Sequence, residues 1–180
     1  MAYTIDAEKC IGCGACAGAC PVAAITPTDD GKMVIDADGK LAGGTVSAPI
    51  MLDSEYSGFY FYASHLTEMT LEVFGYNPRS ITAVRHNGGV CATINYDRFS
   101  VTNHYNTGVY DYMVTLYLES GSVQKSIDLS MAGKKECANF INMLYTGEMS
   151  RPYEEFVIPV YYMNAVKKAY ETGERVDIEF

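Results

Sequence analysis

The 180-residue chain has no tryptophan, no local cluster of basic residues and no apolar stretch long enough to span a bilayer. Its 13 Lys and Arg are outnumbered by 22 Asp and Glu, which gives a net charge of −9. Such a charge repels phosphate backbones and anionic lipids, so we expect neither nucleic acid nor a membrane as a partner. Residues 1–9 contain no basic segment leading into an apolar one, and a cytoplasmic location is therefore predicted.

A disulfide framework is also missing. Four of the six cysteines lie within residues 10–20, whereas Cys91 and Cys137 lie far apart in segments that predict a strand and a helix. Crowded thiolates in a chain without an export signal indicate ligands for a soft metal in a reducing compartment. Cys91 and Cys137 are expected to be small buried apolar residues.

The crowded cysteines have a regular spacing and are followed by a proline. The run reads Cys10-x2-Cys13-x2-Cys16-x3-Cys20-Pro21. A cubane cluster needs several thiolates from one loop, and Gly12 and Gly14 would let the backbone wrap closely around it. A structural zinc site or idle thiols are the alternatives. The spacing, the glycines and the proline favour a [4Fe–4S] cluster with the four cysteines as metal ligands and the two glycines beside the cofactor.

Residues 3–38 resemble the first half of a bacterial two-cluster ferredoxin. The resemblance lies in Tyr3-Thr4-Ile5, in Cys10-Ile11-Gly12-Cys13-Gly14-Ala15-Cys16, in Cys20-Pro21-Val22 and in Ala24-Ile25. It implies that Cys10, Cys13 and Cys16 hold one cluster, whereas Cys20 serves the cluster of a second run. The sequence has no second run, because Asp36-Ala37-Asp38 continues into Gly39-Lys40-Leu41.

The source of the fourth ligand has three possible answers. Two chains could pair so that each Cys20 completes the cluster of its partner. The chain could hold a three-cysteine cluster whose fourth site is open or non-cysteine. Cys91 or Cys137 could supply the ligand.

The abrupt junction at Gly39 also leaves open a truncated or rearranged reading frame.

The pattern of turns and apolar residues predicts two domains of α+β class. We assign residues 1–38 to a half-ferredoxin β-α-β unit, the glycine-rich residues 39–47 to a linker, and residues 48–180 to a second domain. Predicted strands of the first unit are Tyr3–Ile5, Ala24–Thr26 and Met33–Ile35. The second domain is predicted to have helices at His65–Phe74, at Lys134–Tyr145 and before Gly173, a strand meander from 80 to 129, and a last strand at 176–180.

The second domain resembles the C-terminal domain of the Gfo/Idh/MocA oxidoreductases, which are NAD(P)-dependent sugar and polyol dehydrogenases. The first motif is His65, which opens a helix that ends in Phe74-Gly75-Tyr76-Asn77-Pro78. The second is Tyr145-Thr146-Gly147-Glu148, followed by Arg151-Pro152-Tyr153-Glu154. The third is Tyr170-Glu171-Thr172-Gly173-Glu174-Arg175-Val176. The resemblance implies a mainly antiparallel open sheet with helices packed on one face. It also implies a homodimer or higher homo-oligomer that forms through the other face.

Two departures from that family argue against catalysis by this chain alone. No G-x-G-x-x-G follows a predicted strand, so neither NAD(P) binding nor hydride transfer by this chain by itself is supported. His65 matches the histidine that lies near the substrate in the family, but Phe61 replaces the acidic residue four positions before it. His65 is therefore a candidate catalytic residue or a helix-start residue bonded to backbone. His86 and His104 are expected at strand ends, as ordinary surface residues.

Two functions of different class follow from these patterns. The first is iron–sulfur cluster binding for electron transfer or redox sensing, with a redox partner protein and a dimerising sheet domain. The alternative is a catalytically incomplete sugar- or polyol-binding or assembly domain derived from a dehydrogenase.

Overall fold

A computed structural model describes residues 5–6, 8–14, 16, 25–30, 32–35, 41–119 and 121–179. Cys20, the first two residues of the predicted strand Tyr3–Ile5, and the junction at 36–40 lie outside the described residues. In the N-terminal segment, β1 (Ile25–Pro27) pairs antiparallel with β2 (Met33–Ile35). These strands confirm two of the three that the sequence predicts there.

The rest of the described chain forms a seven-stranded sheet with three helices. Its strands are β3 (Leu41–Pro49), β4 (Ser80–His86), β5 (Gly89–Asn95), β6 (Ser100–Asn106), β7 (Met113–Leu118), β8 (Gly121–Ser126) and β9 (Val176–Asp177). Its helices are α1 (Tyr60–Phe74), α2 (Ala132–Thr146) and α3 (Glu154–Thr172). The spatial order is β8-β7-β3-β6-β5-β4-β9, and of the neighbouring pairs β3–β6 is parallel while the others are antiparallel. The predicted α+β class with a mainly antiparallel sheet is confirmed.

Strand β3 occupies the segment that the sequence predicts to be a linker. It lies between β6 and β7, so the linker assignment of 39–47 is wrong for residues 41–47. The small residues that suggest a linker serve close packing, because a Cβ atom on Gly44 would collide with the ring of Phe74 in α1. Since β3 separates β6 from β7, the turn at 106–108 does not close a hairpin, contrary to the predicted meander.

The core lies between the sheet and the helices α1 and α3. Alternating strand residues such as Val46, Val90 and Ile94 are fully or almost fully buried against helix residues such as Leu66 and Tyr162. This period of two places one face of the sheet under the helices. We call this the inner face and the opposite side the outer face.

Helix α1 begins at Tyr60, five residues before the predicted start at His65. The residue before it, Phe59, makes no side-chain capping bond, so the sequence carries no capping signal at the true start. His65 therefore lies in the second turn of α1 and is not a helix-start residue.

Helix α2 confirms the predicted segment, but none of its residues is buried. The apolar stripe, which includes Phe140, Ile141 and Leu144, is at least half exposed, and Cys137 is exposed as well. The prediction of a buried Cys137 is therefore wrong. The spacing of apolar residues shows that one side of the helix is apolar, but it does not show whether another element covers that side. Within the described ranges, no helix combines the length and apolarity that crossing a bilayer requires.

A buried polar network joins the central strand to both core helices. The amide of Asn103 in β6 donates to the hydroxyls of Thr70 in α1, at 2.8 Å, and of Tyr162 in α3, at 2.6 Å. All three side chains are completely buried. Buried polar groups of this kind stabilise a fold only while their partners are present.

We expect Asn103→Ala to lower the free energy of unfolding by about 2–3 kcal/mol, because it removes the buried amide that donates to the hydroxyls of both Thr70 and Tyr162. Urea denaturation measures the change. As a control, Thr107→Val removes a hydroxyl from an exposed turn while keeping β-branching, and it should change the same quantity by less than about 0.5 kcal/mol. Equal losses in the two variants would contradict the role given to Asn103.

Candidate iron–sulfur site

The described part of the cysteine run turns at two glycines. Gly12 and Gly14 have φ values of +70° and +71°. L-residues with a side chain rarely adopt this left-handed conformation, and at Gly14 no atom would crowd an added Cβ. The backbone conformation, and not lack of space, therefore explains the glycine at position 14.

Cys10 already accepts hydrogen bonds of the kind that stabilise a thiolate. The backbone N–H of Met33, in β2, donates to Cys10 Sγ at 3.2 Å, and the N–H of Gly12 donates to the same sulfur. These bonds hold the pKa of the Cys10 thiol below its ordinary value, with a further contribution from the charge of Lys32. The thiolate is the form that binds metal, so the loop favours the ligating state.

Three of the four predicted ligands lie within the described residues. Cys13 and Cys16 are exposed, and Cys20 lies outside the described residues. Across the described residues, no three His, Cys, Asp or Glu side chains converge as a metal site. The donor set nevertheless fits a cluster, because soft thiolates, left-handed glycines and N–H donors to sulfur occur in one short loop.

We expect Cys10 to react with iodoacetamide at lower pH in the folded metal-free protein than in the urea-unfolded chain. Folding lowers the pKa of this thiol, so the folded protein contains thiolate at a pH where the unfolded chain contains thiol. Mass spectrometry of the peptide that carries Cys10 gives the midpoint in each state. A folded midpoint at or above the unfolded one would contradict the hydrogen bonding described for Cys10 Sγ.

His65 lies in a chain of aromatic rings that the sequence analysis did not identify. Its ring is 5.4 Å from that of Tyr62 and 6.4 Å from that of Tyr112. Phe61 extends the chain, 5.2 Å from Tyr62 and 5.5 Å from Tyr56. We call these five residues the aromatic ribbon. The closely spaced tyrosines at 56, 60 and 62 are the part of the sequence that could have indicated this ribbon. Sequence spacing alone does not show that Tyr112, in the β6–β7 connection, lies beside them.

The outer face of strands β3 to β8 is mostly polar but carries no charged residue. Register places five threonines side by side on adjacent strands: Thr82, Thr93, Thr102, Thr45 and Thr115. On strands β3 to β8, the positions of this face contain no Lys, Arg, Asp or Glu. In a chain with 35 such residues, this absence marks the outer face as a distinct surface.

Comparison with known proteins shows which class the N-terminal segment represents. Residues 3–26 match the family described as "4Fe-4S binding domain". The segment is 60% identical over 38 residues to 4Fe-4S ferredoxin FdxA of Gottschalkia acidurici, a match that covers 21% of this chain and 64% of that ferredoxin. The chain thus matches less than two thirds of that protein. The matches confirm the predicted resemblance to a ferredoxin and the predicted [4Fe–4S] cofactor.

The remainder of the chain has the fold of dehydrogenases. Myo-inositol 2-dehydrogenase from Lactobacillus plantarum superposes with a TM-score of 0.64 at 11% identity, over 78% of this chain and 57% of that chain. GenD2 from gentamicin A biosynthesis, solved in complex with NAD, gives 0.64 at 12% identity, over 80% and 58%. The chain therefore spans little more than half the length of either dehydrogenase. Identity this low shows the fold alone, and that fold agrees with the predicted α+β sheet domain.

Proposed function

We propose that the protein transfers electrons to and from a partner protein through a [4Fe–4S] cluster held by Cys10, Cys13, Cys16 and Cys20. The observation that carries this proposal is Cys10 Sγ, which accepts N–H bonds from its own loop and from β2. When bound, such a cluster supplies one-electron transfer, and its potential depends on hydrogen bonds to the sulfurs and on exposure. The exposed Cys13 and Cys16 would leave the site open to a redox partner.

We further propose that two copies join through the outer face. Interface cores are depleted of charged residues, and this face has none on strands β3 to β8. Six strands about 4.8 Å apart, each about six residues long at about 3.3 Å per residue, present about 600 Å². Two such faces bury about 1,200 Å², which reaches the lower limit of a stable interface.

In such a dimer, each Cys20 would complete the cluster of the other copy. The ferredoxin pattern assigns the fourth cysteine of one run to the cluster of another run, and a second copy would supply that run. The exposed Cys137, at the edge of the apolar stripe of α2, and Cys91, in the middle of the sheet, are less suited to reach the loop.

A mixing experiment tests the exchange of Cys20. One variant carries Cys20→Ser, and the other carries Cys10→Ser, Cys13→Ser and Cys16→Ser. Neither contains a complete ligand set within a homodimer. Unfolded together, refolded and reconstituted anaerobically, they should regain broad visible absorption and about four irons per mixed dimer.

The result expected is that the mixture binds more iron and sulfide than either variant alone. The proposed exchange is wrong if mixing restores nothing while the unaltered chain binds about four irons per chain. The cluster proposal itself is wrong if the unaltered chain yields a colourless protein with stoichiometric zinc. These two failures are distinguishable in one series of samples.

The aromatic ribbon favours a second candidate, which is binding of a sugar or polyol beside His65. Tyr62 and Tyr112 beside His65 are partly exposed, and such rings offer stacking surfaces and hydroxyl groups to these ligands. Myo-inositol should then raise the unfolding temperature of a variant in which all four cysteines of the run are serine. The effect should disappear in His65→Ala and persist in His86→Ala. No response to myo-inositol or other polyols would rule this candidate out.

A further inference from the structure

A cysteine and a histidine lie side by side in the middle of the outer face. His104 is in β6, which is the fourth of the seven strands, and it directly opposes Cys91 of the antiparallel strand β5. Their neighbours Asn103, Val90 and Ala92 are buried in the core, so the two side chains project from the outer face. Strand β6 continues to Asn106, so the expectation that His104 lies at a strand end is wrong.

The two side chains are close enough to bind one ion together. Directly opposed residues of antiparallel strands have Cβ atoms about 4.5–5.5 Å apart. Across the described residues, neither the Cys91 thiol nor the His104 ring has a side-chain hydrogen-bond partner, although the neighbouring Ser47 accepts a bond from Asn106 at 2.7 Å. Sulfur and imidazole nitrogen are the donors that zinc and related metals prefer.

One pair supplies two ligands, whereas a tetrahedral site needs four. A dimer through the outer face relates the two sheets by a two-fold axis, and the centre of each face is β6. Facing sheets lie about 10 Å apart, a gap that thiol and imidazole side chains from both sides can bridge through a metal ion. An axis near the middle of β6 would bring two Cys91 and two His104 together.

We propose that two Cys91 and two His104, one pair from each copy, bind a single divalent transition metal ion, zinc by preference, at the centre of the dimer. This inference rests on the proposed joining of two copies through the outer face. It does not depend on the iron–sulfur cluster. Each thiol releases its proton to solvent when it binds the ion. Because both copies bind the same ion, its binding free energy adds to the free energy that holds the dimer together.

Cobalt(II) titration of the full chain tests the site. The background variant carries serine at all four cysteines of the N-terminal run, so that these thiols cannot bind the probe. We expect the visible bands of tetrahedral, thiolate-bound cobalt, saturating at one ion per two chains, and their displacement by zinc. Cys91→Ser and His104→Ala should each weaken cobalt binding by more than the roughly 10–100-fold that loss of an outer-shell partner causes.

Sedimentation of the same samples separates the two proposals. Zinc should tighten the dimer and a chelator should loosen it, while Cys137→Ser, which alters the exposed thiol of α2, should leave titration and dimer unchanged. A dimer that takes up no cobalt, or that binds it equally well after Cys91→Ser, overturns the metal site and leaves the dimer standing. A chain that stays monomeric with or without metal overturns both.

Discussion

Cys13→Ser is expected to remove most of the iron and sulfide from the reconstituted protein and with them the broad visible absorption. A serine hydroxyl is a poor substitute for a thiolate, and Cys13 lies between Gly12 and Gly14, whose left-handed backbone shapes the loop. From about four irons per chain, the content should fall to below about one. Colorimetric iron and sulfide analysis of anaerobic samples measures the change.

The matched control is Cys137→Ser, which removes another exposed thiol, from α2. Its iron content and spectrum should equal those of the unaltered chain. The account fails if Cys13→Ser retains full iron content, or if both variants lose iron equally. In the second case, thiols would bind iron without regard to their place in the fold.

Thr102→Arg is expected to convert the proposed dimer to a monomer. Thr102 lies on the central strand of the outer face, and the substitution places two guanidinium groups together at a desolvated centre. Juxtaposed like charges cost several kcal/mol, and each 1.4 kcal/mol is a factor of ten, so we expect the dimer dissociation constant to rise by at least about 100-fold. Analytical ultracentrifugation over a concentration series measures it.

Tyr145→Arg serves as the control, because Tyr145 is 87% exposed on α2 and away from the sheet. It adds the same charge and should leave the dissociation constant unchanged. Should Thr102→Arg remain as dimeric as the unaltered chain, the outer face is not the interface. Should Tyr145→Arg dissociate the dimer instead, the interface lies on the helix side.

The sequence predicts local features of the fold well and long-range ones poorly. Strands β1 and β2 and the end of α3 at Gly173 follow from turn residues and apolar spacing, which are local signals. Strand β3 was missed because its small residues read as a linker, whereas their function is to let Phe74 approach the sheet. Its parallel pairing with β6 joins residues more than fifty positions apart, and no local pattern shows such a contact.

In the candidate site, too, the sequence predicts local features and not long-range contacts. The spacing of the cysteine run predicts the [4Fe–4S] cofactor, because the ligands come from one loop. The N–H bond from Met33 to Cys10 Sγ spans 23 residues and depends on the β1–β2 hairpin, so the spacing does not reveal it. Likewise, the pairing of Cys91 with His104 becomes visible only in the register of β5 and β6.

The most direct test is the native mass of the anaerobically reconstituted protein, measured together with its iron and sulfide content. The account predicts a species of twice the 19.8 kDa chain mass that carries two clusters of about four irons each. Monomers of 19.8 kDa whose N-terminal thiols remain free of iron would contradict it.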